Sequence, residues 1–239
     1  MLEELINRFE KHIRQLPRLE LNGQEVGVVF NQNLRNLRDS KPVKYILVAD
    51  NPGNEEYRHE CYLHNDGKAG KIARNFFECY SHLVDKFDEE VAVLNKSYIH
   101  TPATNDLNVF LKDDKYSDYF IKSEHFMGEL AIDMLNECAQ KYPACELWII
   151  GCSHLGKNKL FSEYLKTLEP KIKEIKNRVF CYQHFANGCF SRSLNKIICQ
   201  NPDYIQNSKL PLSKNLEKMT KEQILQALHK ASLPIFDDM

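Results

Sequence analysis

Asp50, Asn51, Asn95 and His184 are the residues of this chain whose types and positions could do chemistry. Each lies at the end of a short β-branched and apolar run. Tyr45-Ile-Leu-Val-Ala49 breaks into Asp50-Asn51-Pro52-Gly53, Val91-Ala-Val-Leu94 ends at Asn95, and Val179-Phe-Cys-Tyr-Gln183 ends at His184. Such runs, bounded by turn formers, read as buried strands. An amide both donates and accepts hydrogen bonds, which suits Asn95 to the Watson–Crick edge of a nucleobase. The same amide at Asn51 can orient a water but cannot deprotonate it. A histidine can donate a proton or a hydrogen bond to a developing anion near neutral pH. Phe76 or Phe77 could stack on an aromatic ligand. Singly, a strand-end Asn is more often a turn former, because its side chain bonds its own backbone. Ligands of open parallel sheets sit outside the carboxyl ends of the strands. The three strand ends are therefore expected to meet in one pocket.

The scaffold has 239 residues and is 43% hydrophobic, enough for one full core. The expectation is a single domain with its core at about 43–200, a helical N-terminal extension over 1–40 and a helical tail over 205–239. No apolar run approaches a membrane span, and the N-terminus has no signal-peptide core. A cytoplasmic monomer without metal or cofactor follows as the expectation. The eight cysteines contain no Cys-x-x-Cys and read as buried free thiols. The net charge of −1 is not the broad basic footprint of a strong nucleic-acid binder. Positive charge is clustered locally at Lys157, Lys159, Lys166, Lys171, Lys173, Lys176 and Arg178. That cluster is either a solvated helix face or a phosphate-contact surface.

Along the chain, Leu2, Leu5, Ile6, Phe9, Ile13 and Leu16 fall at helical spacing before Pro17. Strand 44–49 precedes a long polar loop over 50–67, then a helix over 68–86 and strand 91–94. Residues 95–122 read as irregular, followed by a helix over 124–141 and strand 146–150. A turn at Gly151-Cys-Ser-His-Leu-Gly156 leads into a helix to about 168. Strand 178–183, helix 190–200 and a final helix from Lys221, capped by Thr220 and Gln223, complete the pattern. The alternation predicts an α/β fold: three layers, α/β/α, around a mainly parallel four-stranded sheet.

Taken together, these motifs resemble the uracil-DNA glycosylase superfamily. Ala49-Asp50-Asn51-Pro52-Gly53 is similar to that family's first motif in its Asn-Pro-Gly form. Leu94-Asn95 resembles the middle motif, and Lys96-Ser-Tyr-Ile-His-Thr-Pro102 the loop after it. Leu147-Trp-Ile-Ile-Gly-Cys-Ser-His154 resembles the strand that ends in Gly, and His184-Phe-Ala-Asn-Gly188 the final His-Pro-Ser motif. The resemblance covers about residues 43–200. It implies a DNA partner and excision of uracil or another deaminated base, extruded from the stack before reaction. In that scheme Pro52, Gly53, Phe76 or Phe77 and Asn95 bind the base. Asn51 orients the water, His184 stabilises the leaving anion, and Asp50 is a substitute base. Asn187, Gly188, Ser191 and Arg192 contact DNA, and Phe190 is either an inserted wedge or core. The chain departs from the family at Ala49, at Phe185-Ala186, and at Asn51, where the most efficient members carry Asp.

Three rival readings come from the same residues. His59, Cys61, His64 and Cys79 could hold zinc, although their spacing fits no usual ligand frame. Asp50, Glu55 and Glu56 could act as acid–base carboxylates on a free nucleoside. A binding module on the same fold would keep the pocket and lose turnover.

Overall fold

The computed structural model describes residues 1–21, 23–37, 40–201, 204 and 211–234. Residues 205–210 and 235–239 of the expected tail lie outside the described residues. Helix α1 (Leu2–Gln15) turns Leu2, Ile6 and Phe9 inward. A two-residue hairpin follows, β1 (Glu20–Leu21) with β2 (Gln24–Glu25). Strand β3 (Tyr45–Ala49) leads to α2 (Asn54–His59) and to α3 (Lys68–Arg74), which runs on into a π-helical segment, Asn75–Tyr80. Then come α4 (Phe87–Glu90), β4 (Val91–Asn95), α5 (Asp114–Lys141), β5 (Glu146–Ile150) and α6 (Ser162–Ile175). Strand β6 (Val179–Tyr182), α7 (Cys189–Gln200), α8 (Leu212–Leu216) and α9 (Lys221–Ala231) complete the order.

The protein is an α/β protein with a four-stranded parallel sheet in the order β4-β3-β5-β6. Every residue of β3 and β4 is buried, as expected of parallel strands covered on both faces. The chain leaves β3 first toward β4 and later returns on its other side as β5. The order therefore reverses between β3 and β5, which makes their carboxyl ends the crevice of the fold.

Register assigns the two faces. Tyr45, Leu47 and Ala49 pair with Val91, Val93 and Asn95, and Leu47 also pairs with Trp148. Strand residues alternate faces, so these share one side with Ile150 and Tyr182. The π-helical segment and α7 cover that side. The Phe77 ring centroid lies 5.1 Å from both Tyr45 and Trp148, and Phe190 lies 5.0 Å from Phe76 and 5.8 Å from Tyr182. On the other side α5 packs along β3, β4 and β5, with α6 beside it and Phe120 meeting Phe161. Helix α1 joins this layer through Phe9 against Phe126.

Phe76 and Phe77 are thus core residues, 2% and 0% exposed, and neither lines the cavity at the carboxyl ends of the strands. The π-helical turn adds a residue to the helix at this point, closed by the Ser81 amide on the Phe76 carbonyl. Both rings are buried under the sheet. Phe77→Ala is expected to cost about 3–5 kcal/mol in urea unfolding, as for a buried Phe. An unchanged midpoint would remove Phe77 from the core. Phe190 has the same fate, at 2% exposure, which decides against a wedge role.

Several boundaries differ from the sequence pattern. Residues 95–122 hold a 3-10 segment, Thr104–Lys112, and the first turns of α5, which starts at Asp114. The Asp113 side chain caps that helix by accepting from the Lys115 amide, so the end of the stretch expected to be irregular is a helix start. The expected helix over 68–86 ends at Tyr80, and the loop over 50–67 contains α2. Helix α6 runs to Ile175 through Pro170, and Leu168, Ile172 and Ile175 are buried on both sides of that proline. Helix α9 starts where the Thr220–Gln223 capping box predicts. None of the eight cysteines is in a disulfide, and five of them are buried. No helix among the described residues is long and apolar enough to cross a membrane.

A candidate active site at the carboxyl ends of the strands

A cavity of about 450 Å³ opens at the β3–β5 crevice. Asp50, Asn51 and Gly53 line it from the end of β3, Thr101 and Pro102 from the loop after β4, and His184 and Ala186 from the loop after β6. The segment from Asn54 to Gly70 forms the remaining wall. A second cavity of similar size lies at the amino ends of the strands. Its charged groups are already paired: Lys86 with Glu89 at 2.9 Å, Arg74 with Asp88 at 2.7 Å.

The β3 turn is held rigidly. The Asn51 Nδ2 donates to Thr101 Oγ1 at 2.8 Å, and Oδ1 remains to accept from a water. The Pro52 carbonyl accepts from the Thr101 amide and lies 2.9 Å from His100 Nδ1. The Gly53 amide donates to Glu56 Oε2 at 2.9 Å, starting α2. Adjacent strand residues face opposite ways, yet Asp50 and Asn51 both reach the cavity because the chain turns there.

Asp50 is buried and bound to Lys96, whose Nζ donates to Asp50 Oδ1 at 2.6 Å and to the Ile150 carbonyl at 2.5 Å. Lys96 is wholly buried, with its ammonium 5.3 Å from the Phe161 ring centroid. The next strand makes room for this pair by carrying glycine. Gly151 has φ +84°, and a Cβ there would come 2.6 Å from Asp50 Oδ1.

His184 is half-buried at the far side. The Ala186 amide donates to its Nδ1 at 2.9 Å. Nδ1 therefore carries the lone pair, and the neutral ring carries its proton on Nε2. Burial pushes this imidazole below its ordinary value. Asp50 opposes that effect, and Lys96 and His154 add to it.

Asn95 is fully buried, and both its amide atoms lack a hydrogen-bond partner. It pairs in register with Ala49, a wall residue of the cavity, and shares its sheet face, but it does not itself line the cavity. A buried amide left unbonded is unfavourable by about 1–3 kcal/mol.

Residues 54–70 supply one feature that the sequence pattern did not single out, the close approach at Gly70. A Cβ at Gly70 would come 2.1 Å from the His64 carbonyl, so only glycine lets α3 approach this loop. The spaced pair Gly67 and Gly70 at a helix start was the available signal. Glu56 is held in the wall by the Gly53 and Leu63 amides, and burial raises its carboxyl to about 7. The folded protein therefore holds a proton that the unfolded chain releases near 4.5. Stability is expected to fall as pH rises between 4.5 and about 7, and Glu56→Gln should flatten that slope in urea midpoints. An identical slope in the variant would place the proton elsewhere.

Of the remaining expected residues, Gly188 starts α7 with φ +67°, Ser191 is half-buried and Arg192 is exposed. The Asn187 side chain lies outside the described residues, as do those of Lys173 and Lys176 in the basic cluster. Lys166 of that cluster is tied to Glu163. Cys61 is buried and Cys79 does not join His59 and His64, whose compact neighbour is Asp66 instead. No protein-family model matches the chain, and no curated protein matches it in sequence.

Proposed function

We propose that this protein is a uracil-DNA glycosylase-like enzyme that hydrolyses the N-glycosidic bond of uracil or another deaminated or damaged base in DNA. One observation carries the reading. His184, with its proton on Nε2, shares a cavity with Asp50 and Asn51 at the crevice of a parallel sheet. The motif order along the sequence supports it.

The chemistry follows from these groups. The target nucleotide leaves the stack, because its glycosidic bond is inaccessible inside a duplex. The C1′–N bond breaks with its electron pair going to the base. His184 donates the Nε2–H hydrogen bond to the resulting anion, a preorganised contact worth roughly 3–4 kcal/mol. A water accepted by Asn51 Oδ1 attacks the cationic sugar carbon. Its proton passes to the Asp50 oxygen that Lys96 does not hold. The Asn95 amide reads the base edge once the wall at Ala49 opens to it, which would satisfy its two orphaned atoms.

A second reading has its own observation: Glu55 and Glu56 stand in the cavity wall, where the hydroxyls of a free nucleoside could bond to them. The test uses labelled oligonucleotides carrying uracil in a single strand, uracil or thymine opposite guanine, or hypoxanthine, cleaved by alkali after reaction. Free deoxyuridine and uridine are run beside them. Abasic sites from an oligonucleotide support the glycosylase. Release of base from free nucleosides alone supports the second reading. No product from either class of substrate removes both.

A further inference from the structure

We propose that Lys96 is the positioning residue of this site: it anchors the Asp50 carboxylate against the end of β5 and keeps His184 a neutral hydrogen-bond donor. The inference deepens the glycosylase reading, but its first test does not depend on it.

A wholly buried lysine needs an explanation, because desolvating an ammonium is costly unless it is paired and fully hydrogen-bonded. Lys96 is paired, and two of its three N–H donors are bonded by groups from two other strands. Asp50 Oδ1 comes from the end of β3 and the Ile150 carbonyl from the end of β5. Phe161, just before α6, closes the remaining side. Among the described residues, no other lysine is buried this completely. The ammonium therefore holds the two strand ends of the crevice together, 46 and 54 residues away from it in sequence.

Its second effect is electrostatic. The groups facing His184 are Asp50 from β3, Lys96 from β4 and His154 from the loop after β5. Glu55, Glu56, His64 and Lys68 stand further along the same cavity. Burial is the larger influence and disfavours the charged ring, while Asp50 favours it. Lys96, bound to that carboxylate, opposes the effect of Asp50. The Ala186 amide meanwhile fixes the tautomer. A cationic His184 would lose the lone pair that this amide requires. The Lys96–Asp50 pair and the neutral imidazole therefore belong to one arrangement.

The experiment is a pH titration of the His184 ring nitrogens by NMR, which reads charge and tautomer directly, on the full chain. Wild type is compared with Lys96→Met, Asp50→Asn and the double variant. Wild-type His184 is expected to stay neutral, with its proton on Nε2, until the pH is below the ordinary histidine range. In Lys96→Met the midpoint should move to higher pH. In Asp50→Asn it should move lower, and adding Lys96→Met to that variant should raise it again. Should Lys96→Met fail to fold with Asp50 unpaired, the last comparison still isolates Lys96, because both charges are gone from the double variant. A His184 midpoint that does not respond to Lys96 in either background overturns the proposal. On an active enzyme, the acid limb of the excision rate should move with the NMR midpoint. Absence of excision by wild type would instead defeat the glycosylase reading and leave the titration result standing.

Discussion

Asn95→Ala is expected to lower the proposed base excision strongly and to leave the protein as stable as before, or more stable. These two outcomes rarely accompany the loss of a fully buried polar residue. A buried Asn with its hydrogen bonds made loses about 1–3 kcal/mol when truncated, since partners are stranded. Asn95 strands none, because neither amide atom has a partner. Truncation removes a desolvated amide and leaves a small void, and the two effects offset each other. On the activity side, the bond donated by Nδ2 to a base that becomes anionic is worth about 1.5–3 kcal/mol, and the neutral one accepted by Oδ1 about 0.5–1.5 kcal/mol. Their loss corresponds to about 10–10³-fold in rate. Urea midpoints at constant slope and single-turnover excision, measured on the same preparation, check both. A clear loss of stability would mean that Asn95 has a structural partner. Full activity would take it out of the base subsite.

His184→Ala is expected to lower the proposed excision by about 10²–10³-fold, the effect of removing one preorganised donor to a developing anion. Substrate affinity should change far less, since the hydrogen bond strengthens only as charge reaches the base. The fold is expected to survive. His184 is half-buried in a loop, and among the described residues its side chain is bonded by the nearby Ala186 amide. A His184→Gln variant keeps a donor and should recover part of the rate. An unchanged turnover in His184→Ala would show that the leaving base is stabilised by another group, and the mechanism above would fail.

Much of the scaffold was legible because it rests on interactions between near neighbours. The apolar runs at 45–49, 91–95 and 146–150 are strands because a parallel strand covered on both faces needs no polar alternation. Pro17 ends the first helix, and Thr220 with Gln223 starts the last. Asp50, Asn51 and His184 followed from strand ends alone, and they do line one cavity. Asp113 was missed because a cap and a loop aspartate look alike until the helix beyond is recognised.

The sequence by itself determined that a parallel sheet would carry Asp50, Asn51, Asn95 and His184 at its strand ends. Tertiary structure decided what surrounds each of them. It buried Phe76 and Phe77 under Trp148, joined Lys96 to Asp50, and left the Asn95 amide unbonded. Strand ends are set by local propensity, which a short window of sequence contains. Burial, ion pairing and protonation depend on groups brought together from 46 or 54 residues away, and no local pattern contains those.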